Sequence, residues 1–191
     1  MSVKVLNVKG TWQSIANSCM ITVGKTATAE PQSAWKRRLL LAEHSPIRKL
    51  HINWVWSGLM SWVSVHFVRH KFGIEHWVMS QRDDRTTMLN QTHITRGNAL
   101  QSVLVDHECE ANAQAIINIS RKRLCRLASP ETQEAWLTML MELNEIEPEL
   151  VSACVPDCVY RGWCYEFKSC GFHTTKLFRD QLREYREGVN Q

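Results

Sequence analysis

Basic side chains crowd into two short segments near the middle of the chain. The first segment runs from His66 to Lys71 and the second from Ser80 to Arg85. Arginine, histidine and lysine offer many hydrogen-bond donors, and a guanidinium group can pair with two phosphate oxygens at once. The two segments therefore predict a binding site for an anionic ligand. A solvated charged edge held by ion pairs explains the same composition equally well.

The order of residues in these segments separates the two interpretations. Arg69-His70-Lys71 followed by Ser80-Gln81-Arg82 resembles the R-H-R-x-x-S-x-N-E-x-S-x-R-Y signature of the flavin-dependent thymidylate synthases, the ThyX family. The chain departs from the signature in four ways. Lys71 replaces the second arginine, the Asn-Glu pair is absent, one residue is inserted before Ser80, and Asp83 stands where tyrosine is usual.

A second segment carries the same resemblance. Asn112-Ala-Gln-Ala-Ile-Ile-Asn118-Ile-Ser-Arg-Lys-Arg123 is similar to the family's N-A-R-S-L-x-N-F-x-x-L-R segment, with both asparagines and the final arginine in register. Arg96 lies at a similar distance upstream as a motif arginine of the family, and Ser45-Pro46 precedes Arg69 as the family's S/T-P pair does. The resemblance covers roughly residues 43 to 148.

The resemblance implies a role for each matching residue. The residues implied to bind FAD are Ser45, Arg69, His70, Lys71, Asn112 and Asn118. The residues implied to bind dUMP are His66, Arg69, Ser80, Gln81, Arg82, Arg96 and Arg123. Arg123 is also the implied catalytic residue, because a fixed guanidinium beside the pyrimidine stabilises the negative charge that develops as C5 becomes nucleophilic. A basic helix face in water is the structural alternative for residues 121–123.

The implied reaction is the reductive methylation of dUMP to dTMP. Methylenetetrahydrofolate provides the carbon, NADPH-reduced FAD provides the hydride, and no protein cysteine acts as nucleophile. The family also implies a homotetramer whose flavin sites are shared between subunits. Because the Asn-Glu pair is missing, a related product such as the hydroxymethyl compound stays open, with Glu75 and His76 as substitutes near the vacated positions.

The seven cysteines are unevenly placed. Four of them fall close together near the C-terminus: Cys154, Cys158, Cys164 and Cys170. An odd count in a chain without an export signal argues against a disulfide framework. Four thiolates could bind zinc or an iron-sulfur cluster, whereas buried reduced thiols explain the same pattern. The basic and aromatic residues between them leave a zinc-containing, nucleic-acid-binding module as the alternative function, although nucleic acid is the less favoured partner.

Composition limits the class of protein. The chain has 191 residues, of which 44% are hydrophobic and 22% charged, with a formal net charge of +4. These values are typical of a globular protein and exclude a fibrous or disordered one. No apolar run approaches the ~20 residues that span a bilayer, and residues 1–7 lack the apolar core of a secretory signal. We therefore expect a cytoplasmic protein without a membrane partner.

The elements that must position these residues follow from apolar periodicity. Residues 1–30 are predicted as strand and loop, His51–Trp56 as a strand that Gly58 ends, and residues 86–97 as a loop. Helices are predicted at about 32–43, 99–127, 130–148 and 174–187. Residues 59–69 suit a helix or a strand, and we favour the helix. The expected fold is α/β (α+β), a single ThyX-like domain over residues 1–191 with an antiparallel or mixed sheet and packed helices. A Cys-rich extension occupies about residues 149–191 of that domain.

Overall fold

A computed structural model describes residues 1–82 and 96–190. Its four β-strands are β1 (Ser2–Lys9), β2 (His51–Met60), β3 (Ile74–Val78) and β4 (Leu104–Asn112). The α-helices in these ranges are α1 (Trp12–Ile21), α2 (Ser33–Leu41), α3 (Ser61–Val68), α4 (Ala113–Arg123), α5 (Pro130–Asn144), α6 (Pro148–Ser152), α7 (Asp157–Arg161) and α8 (Lys176–Asn190). Short 3-10 turns cover Ser45–Lys49, Arg96–Asn98 and Phe172–Thr174. The predicted mixture of helix and strand is confirmed.

The four strands form one antiparallel sheet in the order β1-β2-β4-β3. Successive side chains of a strand point to opposite faces, so every second residue of β2 and β4 faces the helices. Trp54 and Trp56 on β2 are fully buried on that face. Trp56 stacks on Phe67 of α3 with ring centroids 4.6 Å apart, and both tryptophans contact Trp136 of α5. Helices α3 and α5 therefore cover one face of the sheet.

Two polar contacts fix the aromatic core. The indole Nε1 of Trp56 donates to the carbonyl of Ala135 over 3.0 Å, and the indole Nε1 of Trp136 donates to Ser120 Oγ over 2.9 Å. A buried indole N–H costs free energy unless it finds an acceptor. These bonds therefore orient α4 and α5 against the sheet, and α4 carries the residues of the second ThyX-like segment.

The helix predicted at 99–127 is wrong in its first half. Residues 104–112 form β4, which pairs with β2 on one side and β3 on the other. The buried residues of β4 alternate as Val105, His107, Cys109 and Ala111. This period of two belongs to a strand, and pairing on both edges overrides a helical spacing of apolar residues. The second half is confirmed, since α4 covers 113–123.

Other boundaries also shift. Residues 12–21, expected as strand or loop, form α1, whose N-cap Thr11 accepts a hydrogen bond from the backbone of Ser14. Gly58 does not end β2; it sits inside the strand at φ +71°, where the register with β4 shifts. The helices predicted near 32–43, 59–69, 130–148 and 174–187 are confirmed as α2, α3, α5 and α8. The loop predicted at 86–97 lies almost entirely outside the described residues.

The C-terminal region packs through a small apolar cluster of its own. Val159, Phe172 and Phe178 are buried together. Two cation–π contacts join this region to the rest of the chain: Arg121 over the Tyr160 ring at 3.5 Å and Arg126 over the Phe172 ring at 4.1 Å. Across the described ranges, no helix combines the length and apolar character needed to cross a membrane.

The ionisation of Glu147 is expected to make the free energy of unfolding depend on pH. Its Oε2 accepts a 2.9 Å hydrogen bond from the Trp12 indole. Burial raises the pKa of Glu147 and Glu149 adds to the rise, while the Trp12 bond and Lys36 oppose it. Because the pKa of this carboxyl is raised on folding, the protein loses stability as the pH rises above 4.5, the unfolded value of that pKa.

Glu147→Gln keeps an acceptor for Trp12 and removes this loss of stability. Denaturant unfolding should show the variant more stable at pH 7, by on the order of 1 kcal/mol or less, with no difference below the unfolded pKa. A constant difference at all pH values would contradict the assignment to ionisation.

Candidate functional site

A cleft of about 580 Å³ opens between α3, the end of β3 and β4. Apolar side chains Val65, Val68, Val78 and Val105 form much of its wall, together with Met79. The predicted site residues that line the cleft are Arg69, Lys71, Ser80, Gln81 and Arg82. The two basic segments found in the sequence thus meet at one concavity, which is the arrangement that an anionic ligand with an apolar part requires.

Gln81 carries an unmatched donor at this cleft. Its Nε2 is buried and makes no hydrogen bond within the described part of the chain. An unsatisfied buried amide costs free energy, so such a group marks a place where a ligand acceptor fits. Beside it, Ser80 Oγ accepts a 3.2 Å bond from the Arg82 backbone, which shapes the turn after β3.

Arg123, the predicted catalytic residue, lies at the C-terminal end of α4 and reaches the end of α3. Its Nε donates to His70 Nε2 over 2.9 Å, and its Nη2 donates to the carbonyl of His66 over 2.6 Å. The third nitrogen, Nη1, makes no hydrogen bond within residues 1–82 and 96–190. The structure therefore fixes the guanidinium and leaves the N–H groups of Nη1 as donors for a ligand.

Burial and positive charge tune the groups around Arg123. Burial, followed by the charges of Arg123 and His76, lowers the pKa of His70 to about 4. Burial and the charges of Arg123 and Arg69 also lower the pKa of His66. His70 is therefore neutral at pH 7, so its Nε2 can accept from Arg123. Burial and Arg69 lower the pKa of Arg123 itself, although an arginine stays charged.

Asn112 holds the start of α4 and the loop before β3 together. Its Oδ1 accepts from the backbone N–H of Ala115 over 2.9 Å as the helix N-cap, and its backbone N–H donates to the carbonyl of Gly73. Gly73 has φ +72°, and a Cβ there would lie 2.5 Å from Asn112 Nδ2. Asn112 therefore has a structural role in this chain that the resemblance did not imply.

Asn118 and Ser45 belong to a different set of neighbours. The Oδ1 of Asn118 accepts from Arg121 Nη1 over 2.9 Å, and Arg121 forms an ion pair with Glu43. Ser45 is exposed at the start of the 3-10 turn that follows Glu43. Neither Asn118 nor Ser45 lines the cleft. Of the predicted flavin residues, Arg69 and Lys71 line the cleft, whereas Ser45, His70, Asn112 and Asn118 do not.

The structure brings together most of the residues that the sequence singled out. Arg69 lines the cleft. Its positive charge also lowers the pKa values of Arg123 and His66, so Arg69 connects the cleft to these two residues. Arg123 itself does not line the cleft. The side chain of Arg96 lies outside what the structure describes. A larger cavity of about 900 Å³ between α5 and α8 is lined by none of the described residues predicted to bind FAD or dUMP, although the candidate metal ligand Cys154 lines it.

The structure separates Cys154 from the other three C-terminal cysteines. Cys154 is buried in the main core, where its Sγ donates to the carbonyl of Leu150, and Cys125 instead lies near Cys158, Cys164 and Cys170. No three of these sulfurs approach within ligand distance of one another in the described ranges. Cys154 therefore fits the alternative of a buried reduced thiol, since it lies in the core cluster, while Cys125 joins the other three cysteines from just beyond the end of α4.

Sequence reasoning missed a cluster on the strands. His76 on β3 and His107 with Cys109 on β4 have ring nitrogens and sulfur within 3.3 Å of one another. The alternation of buried residues along 105–111 indicates a strand, and the helix prediction for this stretch overlooked that pattern. His76 is engaged here through both ring nitrogens, and its substitution for the missing Asn-Glu pair stays a prediction. Glu75 points to the opposite face of β3 and is exposed.

The architecture is that of the flavin-dependent thymidylate synthases, which confirms the predicted fold. ThyX from Helicobacter pylori complexed with FAD and dUMP matches with a TM-score of 0.63 at 14% identity, covering 81% of this chain and 99% of that chain. A second structure of that enzyme with the same ligands gives 0.60 at 15% identity, covering 81% and 100%. No protein-family model and no curated protein matches the sequence.

A nucleotide methylase has a similar fold. PolB from Streptomyces cacaoi, a UMP/dUMP methylase solved with 5-Br dUMP, matches with a TM-score of 0.60 at 12% identity, covering 80% of this chain and 93% of that chain. At such identities the likeness defines the fold, and the chemistry must be argued from the residues of this chain.

Proposed function

We propose that this protein is a flavin-dependent enzyme that transfers a one-carbon group to C5 of dUMP, as a divergent thymidylate synthase that forms dTMP. The observation that carries the proposal is the cleft in which Arg69, Lys71, Ser80, Gln81 and Arg82 meet on a ThyX-like fold. Similar folds hold dUMP in the H. pylori enzyme and 5-Br dUMP in PolB. The proposal includes the predicted cytoplasmic location.

The donors at the cleft fit a nucleotide monophosphate. Arg69 presents positive charge to a phosphate, and the buried Gln81 Nε2 presents a donor for a uracil carbonyl. The valines of the wall provide an apolar surface for the sugar and base. A ligand acceptor at Gln81 would also remove the cost of its unpaired buried amide.

The donor set also fits FAD. Arg69 and Lys71 provide cations for its diphosphate, with His70 between them in the chain and Asn112, at the end of β4, bonded to the turn at Gly73 that follows them. Ser45 and Asn118 do not line the cleft of the same chain, and in the proposed enzyme they join this set across a subunit boundary. FAD reduced by NADPH would supply the hydride, with methylenetetrahydrofolate as carbon donor.

Arg123 is the residue whose geometry best serves the chemistry. Two of its nitrogens are held by His70 and His66, so the guanidinium needs no reorganisation to meet a developing charge. Placed beside the pyrimidine, it stabilises the electron density that moves onto the uracil ring as C5 becomes nucleophilic. Because arginine does not release its proton at neutral pH, its contribution is electrostatic.

A homotetramer with shared flavin sites completes the proposal. The position of Ser45 and Asn118 outside the cleft of their own chain supports it, and so do the apolar side chains that lie exposed on α3, β3, β4 and the turn between α3 and β3. Those side chains are Val65, Val68, Phe72, Trp77 and Leu104. Exposed apolar groups in such number favour burial against another chain.

The direct test is incubation of the purified protein with dUMP, methylenetetrahydrofolate and NADPH, followed by mass analysis of the nucleotide. We expect dTMP and a yellow protein with flavin absorbance. A hydroxymethyl product would retain the flavin-dependent class and change the reaction. A colourless protein that retains DNA or RNA and converts no dUMP would instead support the nucleic-acid-binding alternative.

Removing one cation from the cleft should weaken nucleotide binding. Arg69→Ala deletes a charge-assisted hydrogen bond to phosphate worth roughly 1.5–3 kcal/mol, so the Kd for dUMP should rise about tenfold to a hundredfold. Lys4→Ala makes the same change of charge at an exposed site on β1 and is the matched control. Calorimetric titration with dUMP measures both. Equal, small effects of the two substitutions would place the nucleotide outside this cleft.

A further inference from the structure

His76, His107 and Cys109 bring three metal-ligating atoms to one point on the sheet. His76 Nδ1 lies 3.0 Å from His107 Nε2, and Cys109 Sγ lies 3.3 Å and 3.2 Å from these two nitrogens. Among all described residues, this is the one group of three or more histidine, cysteine or acidic side chains with ligand atoms so close.

Strand pairing explains why these side chains converge. His76 on β3 and Cys109 on β4 are directly opposed in the register, and His107 lies two residues before Cys109 on the same face of β4. Directly opposed and diagonal neighbours on one face of an antiparallel pair are within reach of each other's side chains. The cluster is thus built by regular backbone rather than by a mobile loop.

The outer ring nitrogens are held in the way that metal-binding histidines require. His76 Nε2 donates to the carbonyl of His70 over 2.9 Å, so in the neutral ring Nδ1 presents a lone pair to the cluster. His107 Nδ1 lies 3.0 Å from the buried hydroxyl of Ser64, which fixes the ring with Nε2 facing the cluster. Such outer partners orient the ligands and select their tautomers.

The dimensions match a tetrahedral ion. Zn–N bonds of about 2.0–2.1 Å and a Zn–S bond of about 2.3 Å set the ligand atoms roughly 3.3–3.6 Å apart. The observed separations of 3.0–3.3 Å need to open by only a few tenths of an ångström. Nitrogen and sulfur donors disfavour Ca²⁺ and Mg²⁺, which prefer oxygen.

We propose that His76 Nδ1, His107 Nε2 and the Cys109 thiolate bind a divalent transition metal ion of the zinc class. Cys109 gives its proton to solvent on binding, and the fourth position is taken by water or another ligand. His107 and Cys109 are fully buried, and His76 is the member with exposed surface. The ion would join β3 to β4 and, through Ser64 and the His70 carbonyl, would brace α3 and the turn that carries Arg69.

The test uses the full-length protein, stripped with a chelator and then titrated with Zn²⁺ against a competing chromophoric chelator. We expect one tightly bound Zn²⁺ per chain, a higher melting temperature with Zn²⁺, and at least a hundredfold weaker binding in Cys109→Ser. Ser64→Ala should weaken binding by about 10- to 100-fold by releasing His107. Circular dichroism establishes that each variant is folded.

Two control variants separate this site from the other cysteines. Cys154→Ser changes another buried cysteine, and Cys158→Ser removes a thiol from the C-terminal region; both should retain Zn²⁺. With Co²⁺ as a probe, the thiolate-to-metal absorption should vanish in Cys109→Ser and persist in Cys158→Ser. No binding in the wild type would make the cluster a hydrogen-bonded triad only. Zn²⁺ lost in Cys158→Ser and kept in Cys109→Ser would place the metal in the tail, and either result overturns the proposal.

Discussion

Arg123→Ala is expected to lower kcat for dUMP conversion by about 10²- to 10³-fold, the range measured when a preorganised charge-stabilising donor is removed. The guanidinium is held by His70 Nε2 and the His66 carbonyl, which keeps it fixed before any charge develops. Flavin absorbance should remain, because the predicted cofactor residues are not changed. Quantifying the nucleotide product under saturating dUMP gives kcat directly.

Two further variants show whether the effect comes from charge, geometry or folding. Arg123→Lys keeps the charge, but its single ammonium cannot bridge His70 and His66 as the planar fork does, so it should restore little activity. Lys122→Ala removes an exposed neighbouring cation and should leave kcat unchanged. Because Arg123→Ala removes the hydrogen-bond donor to the His66 carbonyl, the melting temperature of each variant is measured to establish that it is folded. Turnover near wild type in folded Arg123→Ala would remove Arg123 from the chemistry.

Gly73→Ala is expected to destabilise the protein by about 2–3 kcal/mol. The positive φ of Gly73 costs an alanine roughly 1 kcal/mol, and the new Cβ would meet Asn112 Nδ2 at 2.5 Å. Moving that amide breaks the N-cap of α4, which is worth about 1 kcal/mol. For a chain of this size the loss corresponds to a melting temperature lower by roughly 5–10 °C.

Gly24→Ala is the matched control for Gly73→Ala. Gly24 has a similar φ of +67°, and a Cβ there meets nothing within 4 Å, so only the backbone cost of about 1 kcal/mol remains. Denaturant unfolding of both variants isolates the clash with Asn112. In an Asn112→Ser background, which keeps a capping oxygen on a shorter side chain, the penalty of Gly73→Ala should shrink toward that of Gly24→Ala. Equal penalties at the two glycines would show that Asn112 does not pack against Gly73.

The consequence of Gly73→Ala for activity follows from what Asn112 positions. Asn112 begins the helix that ends at Arg123, and the Gly73 carbonyl accepts from its backbone. The turn at Gly73 also follows Arg69 and Lys71 directly in the chain. A shift at this point displaces both the cleft cations and the proposed catalytic arginine, so kcat and the Kd for dUMP should worsen together.

The sequence by itself determined the helices with clear starts and apolar faces, such as α2 and α5, and the two segments that meet at the cleft. Local propensity and the order of Arg69, Ser80, Asn112 and Arg123 are properties of short stretches, which can be recognised without coordinates. The antiparallel ThyX-like fold could also be anticipated, because the resemblance extends over more than half of the chain.

The alternation along residues 105–111 is a local strand signal, but the longer stretch 99–127 also has helical spacing, and the pairing of residues 104–112 with β2 and β3 on both edges decides between the two. That pairing sets His76 beside His107 and Cys109, which are more than thirty residues away along the chain. Only the tertiary structure decided that His70 is the acceptor for Arg123, and that Cys154 lies apart from the other C-terminal cysteines. Such contacts depend on the register of distant segments, and no local pattern encodes that register.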